Sequence, residues 1–302
     1  MQSSGMNRQV DDPPLTPRDP LAEGVRCENA GLFDRALEYF DIAARDPDPA
    51  VAAEALWRSA HVHRRLCAWD AALDAAERSA AIAQRAGLSL RYGEALNALA
   101  AVHQSRGSFD EARAHLERIL ALTDDQRLRG VALQNLGGIA ADSKDYARAL
   151  AYFTESAACF DAAGYELGRA FALNNMGRAA LDLGDLPAAL TALEQAVSLA
   201  RVLGDADLVA LATLNHAAAL AAADADPEAE TLAASALGFF TASRNRWREI
   251  ECLRLMGDLH ARRGDVKTAR RCYERGLSLA TDIGAERDVA DLQAALATIE
   301  SG

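Results

Sequence analysis

The chain has 302 residues and a formal charge of −12, which argues against a general nucleic-acid binder, because neutralising phosphates needs a broad basic surface. Half of the residues are apolar but only 6% are aromatic, so the core is expected to be mostly Ala and Leu between closely packed helices. The five cysteines, Cys27, Cys67, Cys159, Cys252 and Cys272, have neither metal nor disulfide-framework spacing, which fits a reducing compartment and places the protein in the cytoplasm.

Residues 1–18 carry Pro13, Pro14 and Pro17 among polar neighbours and have no apolar period. They are expected to form a mobile tail, and they lack the apolar run of a signal peptide. From there the chain repeats. Ala36, Ala72, Ala112, Ala149, Ala189, Ala229 and Ala269 recur at gaps of 36, 40, 37, 40, 40 and 40 residues in similar local contexts. A period in this range signals one supersecondary unit stacked many times. Twelve positions before each alanine stands Gly24, Ala60, Ala100, Gly137, Gly177, Ala217 or Gly257. Small residues at this separation on the two arms of a helix pair allow close backbone approach. Phe33, Trp69, Phe109, Tyr146, Leu186 and Val266 are expected to plug the turn between the arms.

Turn chemistry gives the same register. Gly87, Gly164, Gly204 and Gly284 lie where second helices should stop, since glycine tolerates the left-handed conformation of a helix end. Ser108 with Glu111 fits a capping box, Asp145 and Asp185 suit N-caps, and Pro227 suits a first helical position. After Gly284, the apolar positions Val289, Leu292, Leu296 and Ile299 fall on one face of a helix, expected to cap the array. The uncharged run from Leu208 to Ala223 falls short of the roughly 20 residues that span a membrane. It contains Asn215 and His216 and sits in register as a first helix, so no membrane insertion is expected.

The offsets shared by Asn174-Asn175-Met176-Gly177 with Gly184 to Leu190, by Leu253, Met256, Gly257 with Gly264, Val266, Ala269, Tyr273, and by Leu133, Leu136, Gly137 with Tyr146, Ala149, Phe153 resemble the tetratricopeptide repeat (TPR) superfamily. The period is longer than the usual 34 residues. The longer form is similar to the repeats of kinesin light chain, of spindle-orientation adaptors and of sensor regions of bacterial regulators. The resemblance implies an all-α, right-handed superhelical solenoid of about seven antiparallel helix pairs with a C-terminal capping helix. The repeats are expected at 19–47, 48–87, 88–124, 125–164, 165–204, 205–244 and 245–284, and the cap at 285–302.

It also implies a non-catalytic adaptor or scaffold that clasps a peptide or helix of a partner protein in a concave groove lined by first helices. Two other readings remain open: a peptide-sensing or effector-restraining regulator of a bacterial signalling or transcription system, and a structural subunit of a larger assembly. Asn97, Gln134 and Asn174 share one column of the repeat, and Asn135, Asn175 and Asn215 the next. Side-chain amides donate and accept, so they suit an extended peptide backbone, and in similar adaptors asparagines in this part of the first helix hold one. Adjacent columns are turned by about 100°, so both cannot face the groove equally, and one is open to a structural bridging role. Phe171, Arg178, Leu181, Asp182, Arg254, Asp258 and Arg262 lie along the same face as candidate contacts for side chains.

Residues 241–275 hold ten basic against five acidic side chains. Arg244, Arg246, Arg248, Arg262, Arg263, Arg270 and Arg271 form a candidate basic patch for an acidic partner, the alternative being a solvated helix face. Repeat six departs from the pattern, with Thr213 in place of Leu, Asp226 in place of the turn plug and Ala233 in place of a large residue. Residues 206–243 are therefore expected to pack weakly. His61 and His63 point about 200° apart on a helix and cannot share a metal. His63, His103 and His260 fall in a column that reads as packing. No nucleophile context or phosphate loop is present, so no catalysis, metal or cofactor is expected.

Overall fold

The computed structural model of the chain describes residues 19–301; the expected N-terminal tail lies outside them. The described residues form fifteen α-helices and no strand. In chain order they are α1 (Pro20–Asn29), α2 (Phe33–Ala43), α3 (Pro49–Arg65), α4 (Trp69–Arg85), α5 (Ser89–Ser105), α6 (Phe109–Leu122), α7 (Gln126–Asp142), α8 (Tyr146–Ala162), α9 (Glu166–Leu183), α10 (Leu186–Leu203), α11 (Ala206–Ala222), α12 (Asp226–Ala242), α13 (Arg246–Arg262), α14 (Val266–Asp282) and α15 (Glu286–Ser301). The chain divides between Asp124 and Asp125 into two compact units. The first contains the helix pairs α1/α2, α3/α4 and α5/α6; the second contains α7/α8, α9/α10, α11/α12 and α13/α14, followed by α15.

Helix ends follow from local chemistry. The carboxylates of Asp145, Asp185, Asp205 and Asp265 accept from backbone N–H groups three residues on, as a capping side chain should. Ser108 stands at the same kind of position but makes no such bond, so the expected capping box does not form. At the same backbone geometry, with ψ near 70 to 83°, the side chains of Asp145, Asp185 and Asn245, one bond longer than Ser, do reach a free N–H group. The turns contain a left-handed residue. Gly164 and Gly204 take it without strain, whereas Cys67, Lys144, Asp224 and Arg244 adopt it with a Cβ.

Packing within a pair depends on size matching across it. All seven repeating alanines are completely buried, at 0% exposure. The small residue of the first helix, however, faces a side chain four positions beyond the alanine. A methyl added at Gly24 would lie 2.5 Å from Phe40, and one at Gly137 would lie 2.6 Å from Phe153. Gly177 meets Leu193, and Gly257 meets Tyr273, in the same way. Where the first helix has Ala instead, the facing residue is Ala76, Leu116 or Ala233, and both members of each pair are buried.

First helices form an inner layer. In the second unit α7, α9, α11, α13 and α15 touch one another in succession, and in the first unit α1, α3 and α5 do the same. Second helices touch the first helices beside them but, among the described residues, not each other. Each unit is therefore a helical solenoid in which first helices face one side. Leu292 of α15 is fully buried with Val289, Leu296 and Ile299 packed around it, covering the end of the second unit. Among the described residues, the one helix long and apolar enough to cross a membrane is α10 rather than the run in α11. Here α10 packs on α9 and α11 with Ala189, Leu193, Ala196 and Ala200 buried, and it carries Glu194 and Arg201.

Candidate binding groove

Turn-by-turn spacing brings one row of side chains from α9, α11 and α13 to the inner face. Arg178 and Leu181 of α9, Leu214, Asn215 and Ala218 of α11, and Glu251, Arg254, Leu255 and Asp258 of α13 line a cavity of about 140 Å³. Its floor is apolar and its rim is charged with both signs. Arg178 is exposed and pairs with Asp182 at 3.2 Å, one turn along its helix. Arg254 and Asp258 are also exposed one turn apart. The Tyr273 hydroxyl donates to Asp258 at 2.7 Å; burial first, and then this bond, pushes the phenol well above its ordinary range. The sign mixture favours a partner with a matching charge pattern over simple charge attraction.

The two asparagine columns have different fates. Asn215 donates from its side-chain amide to the Asn174 side-chain oxygen Oδ1 at 2.9 Å, and the Asn174 side-chain amide donates to Asn175 Oδ1 at 3.2 Å. Asn174 and Asn215 are buried at 2% and 6% exposure, so this pair bridges α9 to α11 while Asn215 still borders the cavity. Asn175 and Asn135 are half-buried. Gln134 is half-buried as well, and its side-chain oxygen Oε1 is buried without a hydrogen-bond partner. Asn97 is half-buried on α5, in the first unit. Phe171 packs on the buried cluster of Ala170, Ala200 and Leu208 instead of lining the cavity. Glu251, Leu214, Ala218 and Leu255 were missed by the sequence reading, although Glu251 and Leu255 lie one helical turn from residues it named.

The candidate basic patch is largely occupied by its own acids. Arg262 donates to Asp226 at 2.5 Å and to the Ala221 carbonyl at 2.8 Å, and Arg263 pairs with Glu230. Arg246 lies 3.3 Å from the buried Glu249, which also receives Arg275. Arg248 pairs with Glu251 at 2.7 Å, and Arg270 with Glu300 at 3.0 Å. Arg271 donates to the Thr268 hydroxyl, and Arg244 occupies a left-handed turn. Arg262, Arg263 and Arg270 tie neighbouring helices together, while Arg246, Arg248 and Arg271 bond within their own helices.

The histidine column is occupied by packing contacts. His103 stacks on His115, and His260 lies between Glu230 and Asp265. Burial, reinforced by Arg64 and Arg58, holds the His61 imidazole down to about 4. Among the described residues, no three His, Cys, Asp or Glu side chains are grouped to hold a metal ion.

Stacked helix pairs with a first-helix inner face define a helical-repeat protein with a groove suited to holding another molecule. The Tetratricopeptide repeat family matches residues 51–125 and 128–201, and the chain belongs to that family. No curated protein sequence matches it. Its fold is similar to solved structures at low identity. One is a signal transduction ATPase with numerous domains from Pyrococcus horikoshii that carries a tetratricopeptide repeat sensor (13% identity, TM-score 0.73, 90% of this chain and 44% of that one). Another is aspartyl phosphate phosphatase F from Bacillus subtilis (14% identity, TM-score 0.68, 86% and 69%). A third is a Rap protein complexed with competence and sporulation factor (16% identity, TM-score 0.63, 93% and 74%).

Proposed function

We propose that the protein is a non-catalytic interaction module that holds a peptide or helix of a protein partner on the inner face of its second unit. The observation that carries this reading is the cavity between α9, α11 and α13, with an apolar floor and a rim formed by Arg178, Glu251, Arg254 and Asp258. Apolar side chains of a partner would bury on Leu181, Leu214 and Leu255, while the rim charges select its register. Asn135 and Asn175 remain the backbone-binding candidates, and Asn174 with Asn215 holds the floor together. The five cysteines are all free thiols, which suits the cytoplasm.

A regulator that senses a signalling factor is the second reading, favoured by the similar fold of a Rap protein complexed with competence and sporulation factor. The test is affinity capture from native lysate with wild type and with Arg178→Glu/Arg254→Glu, equal folding being checked by circular dichroism. Both arginines are exposed, so the fold is expected to survive. Loss of a bound protein in the variant is the expected result. Retention at full strength would move the site off this face and favour a structural subunit.

A further inference from the structure

At the position held by Thr213, the other full-length repeats carry Leu56, Leu96, Leu133, Leu173 and Leu253. The loss of Leu at this site has no counterweight. Two cavities open beside it and share Thr213 and Arg201 as walls. One, of about 360 Å³, is otherwise lined chiefly by Ala206, Val209, Ala210, Ala236 and Phe239. The other, of about 480 Å³, includes Glu194, His216 and Glu228 in its lining. The first is within the size range of small-molecule pockets and shares no lining residue with the groove between α9, α11 and α13. It lies between second helices, across the first half of α11.

The chemistry of the first cavity is one-sided. Its walls are apolar apart from Arg201, Thr213 and Ser235, and no acid lines it. Among the described residues Arg201 makes no ion pair or side-chain hydrogen bond. Thr154, Thr191, Thr231 and Thr281 each return their hydroxyl to the carbonyl one turn back. Thr213 makes no such bond although it is only 5% exposed. The Thr213 hydroxyl and the unpaired Arg201 guanidinium both line the cavity and offer donors to an anionic oxygen, and a guanidinium fits a carboxylate in two-point fashion. Glu194 and Glu228 bar the same anion from the neighbouring cavity.

We propose that this cavity binds a small amphipathic carboxylate of the fatty-acid class, its headgroup on Arg201 and the Thr213 hydroxyl and its alkyl chain over Val209, Ala210, Ala236 and Phe239. The site is separate from the peptide groove and stands whether or not that groove is used. The test is calorimetric titration of the full chain with decanoate and with 1-decanol. Saturable one-site binding of decanoate, roughly tenfold tighter than the alcohol, is expected. Thr213→Leu restores the residue of the other repeats, so it keeps the fold and should weaken binding at least about tenfold by removing the hydroxyl and narrowing the cavity. Arg201→Gln, on an exposed side chain, should bring decanoate down to the affinity of the alcohol. Unchanged decanoate binding by Thr213→Leu, equal affinity of wild type for acid and alcohol, or no saturable binding would each overturn the proposal.

Discussion

Gly177 and Leu193 show how much of this fold rests on single atoms. No room exists for a Cβ on Gly177 beside Leu193, and the Ala189 carbonyl lies 3.2 Å from where that Cβ would be. Gly177→Ala should therefore cost about 1 to 3 kcal/mol by overpacking, and Leu193→Ala about 2 to 5 kcal/mol by leaving a cavity. The double variant recreates the Ala217/Ala233 arrangement of the next repeat, so its cost should fall well short of the two single costs together. Urea unfolding of the four proteins measures this, and additivity within about 0.5 kcal/mol would show that the two side chains do not oppose each other. The glycine column was legible in the sequence as a set of small residues. Its true partner was not, because the residue a glycine faces depends on how far one helix slides along the other. The asparagines teach the same lesson. Their place on first helices follows from the repeat, but the bond from Asn215 to Asn174 joins two different columns and depends on the stagger between α9 and α11.

The pair α11/α12 departs most from its neighbours, and the sequence announced this through Thr213, Asp226 and Ala233. The structure qualifies the expected weakness in two ways. Ala217 supplies the methyl that Ala233 gives up, and both are fully buried at 0% exposure. Asp226 does not leave an empty turn, because Arg262 reaches it and also bonds the Ala221 carbonyl across from α13. Such ties join residues more than 30 positions apart, so charge counting along the chain registered only a basic excess and not its pairing. Only Thr213 is left without compensation, and two cavities open beside it. Exposed ion pairs contribute little, about 0 to 1 kcal/mol each, so they do not replace apolar burial. Hydrogen exchange of residues 206–243 should therefore be faster than that of residues 166–203. Equal protection in the two segments would show that the cavities carry no cost in local stability.

The helical-repeat class of the protein was legible because seven alanines in register leave little alternative, and each of them is buried. The inner layer of first helices follows from the same repetition, since second helices stand apart from one another. Less legible was which side chains line the groove. Phe171 turned to the core, while Glu251 and Leu255 joined Arg254 and Asp258 at the rim and floor. Side-chain direction at a helix surface is set by rotamer and crossing angle, which periodicity does not encode. The central claim is that a protein partner sits on the α9, α11 and α13 face, and a photo-crosslinking amino acid placed at Ala218, on the cavity wall, tests it most directly. The control is the same amino acid at Glu274, an exposed position on the second helix α14. A partner that crosslinks from position 218 and not from 274 is the predicted result; crosslinking from 274 alone would contradict it.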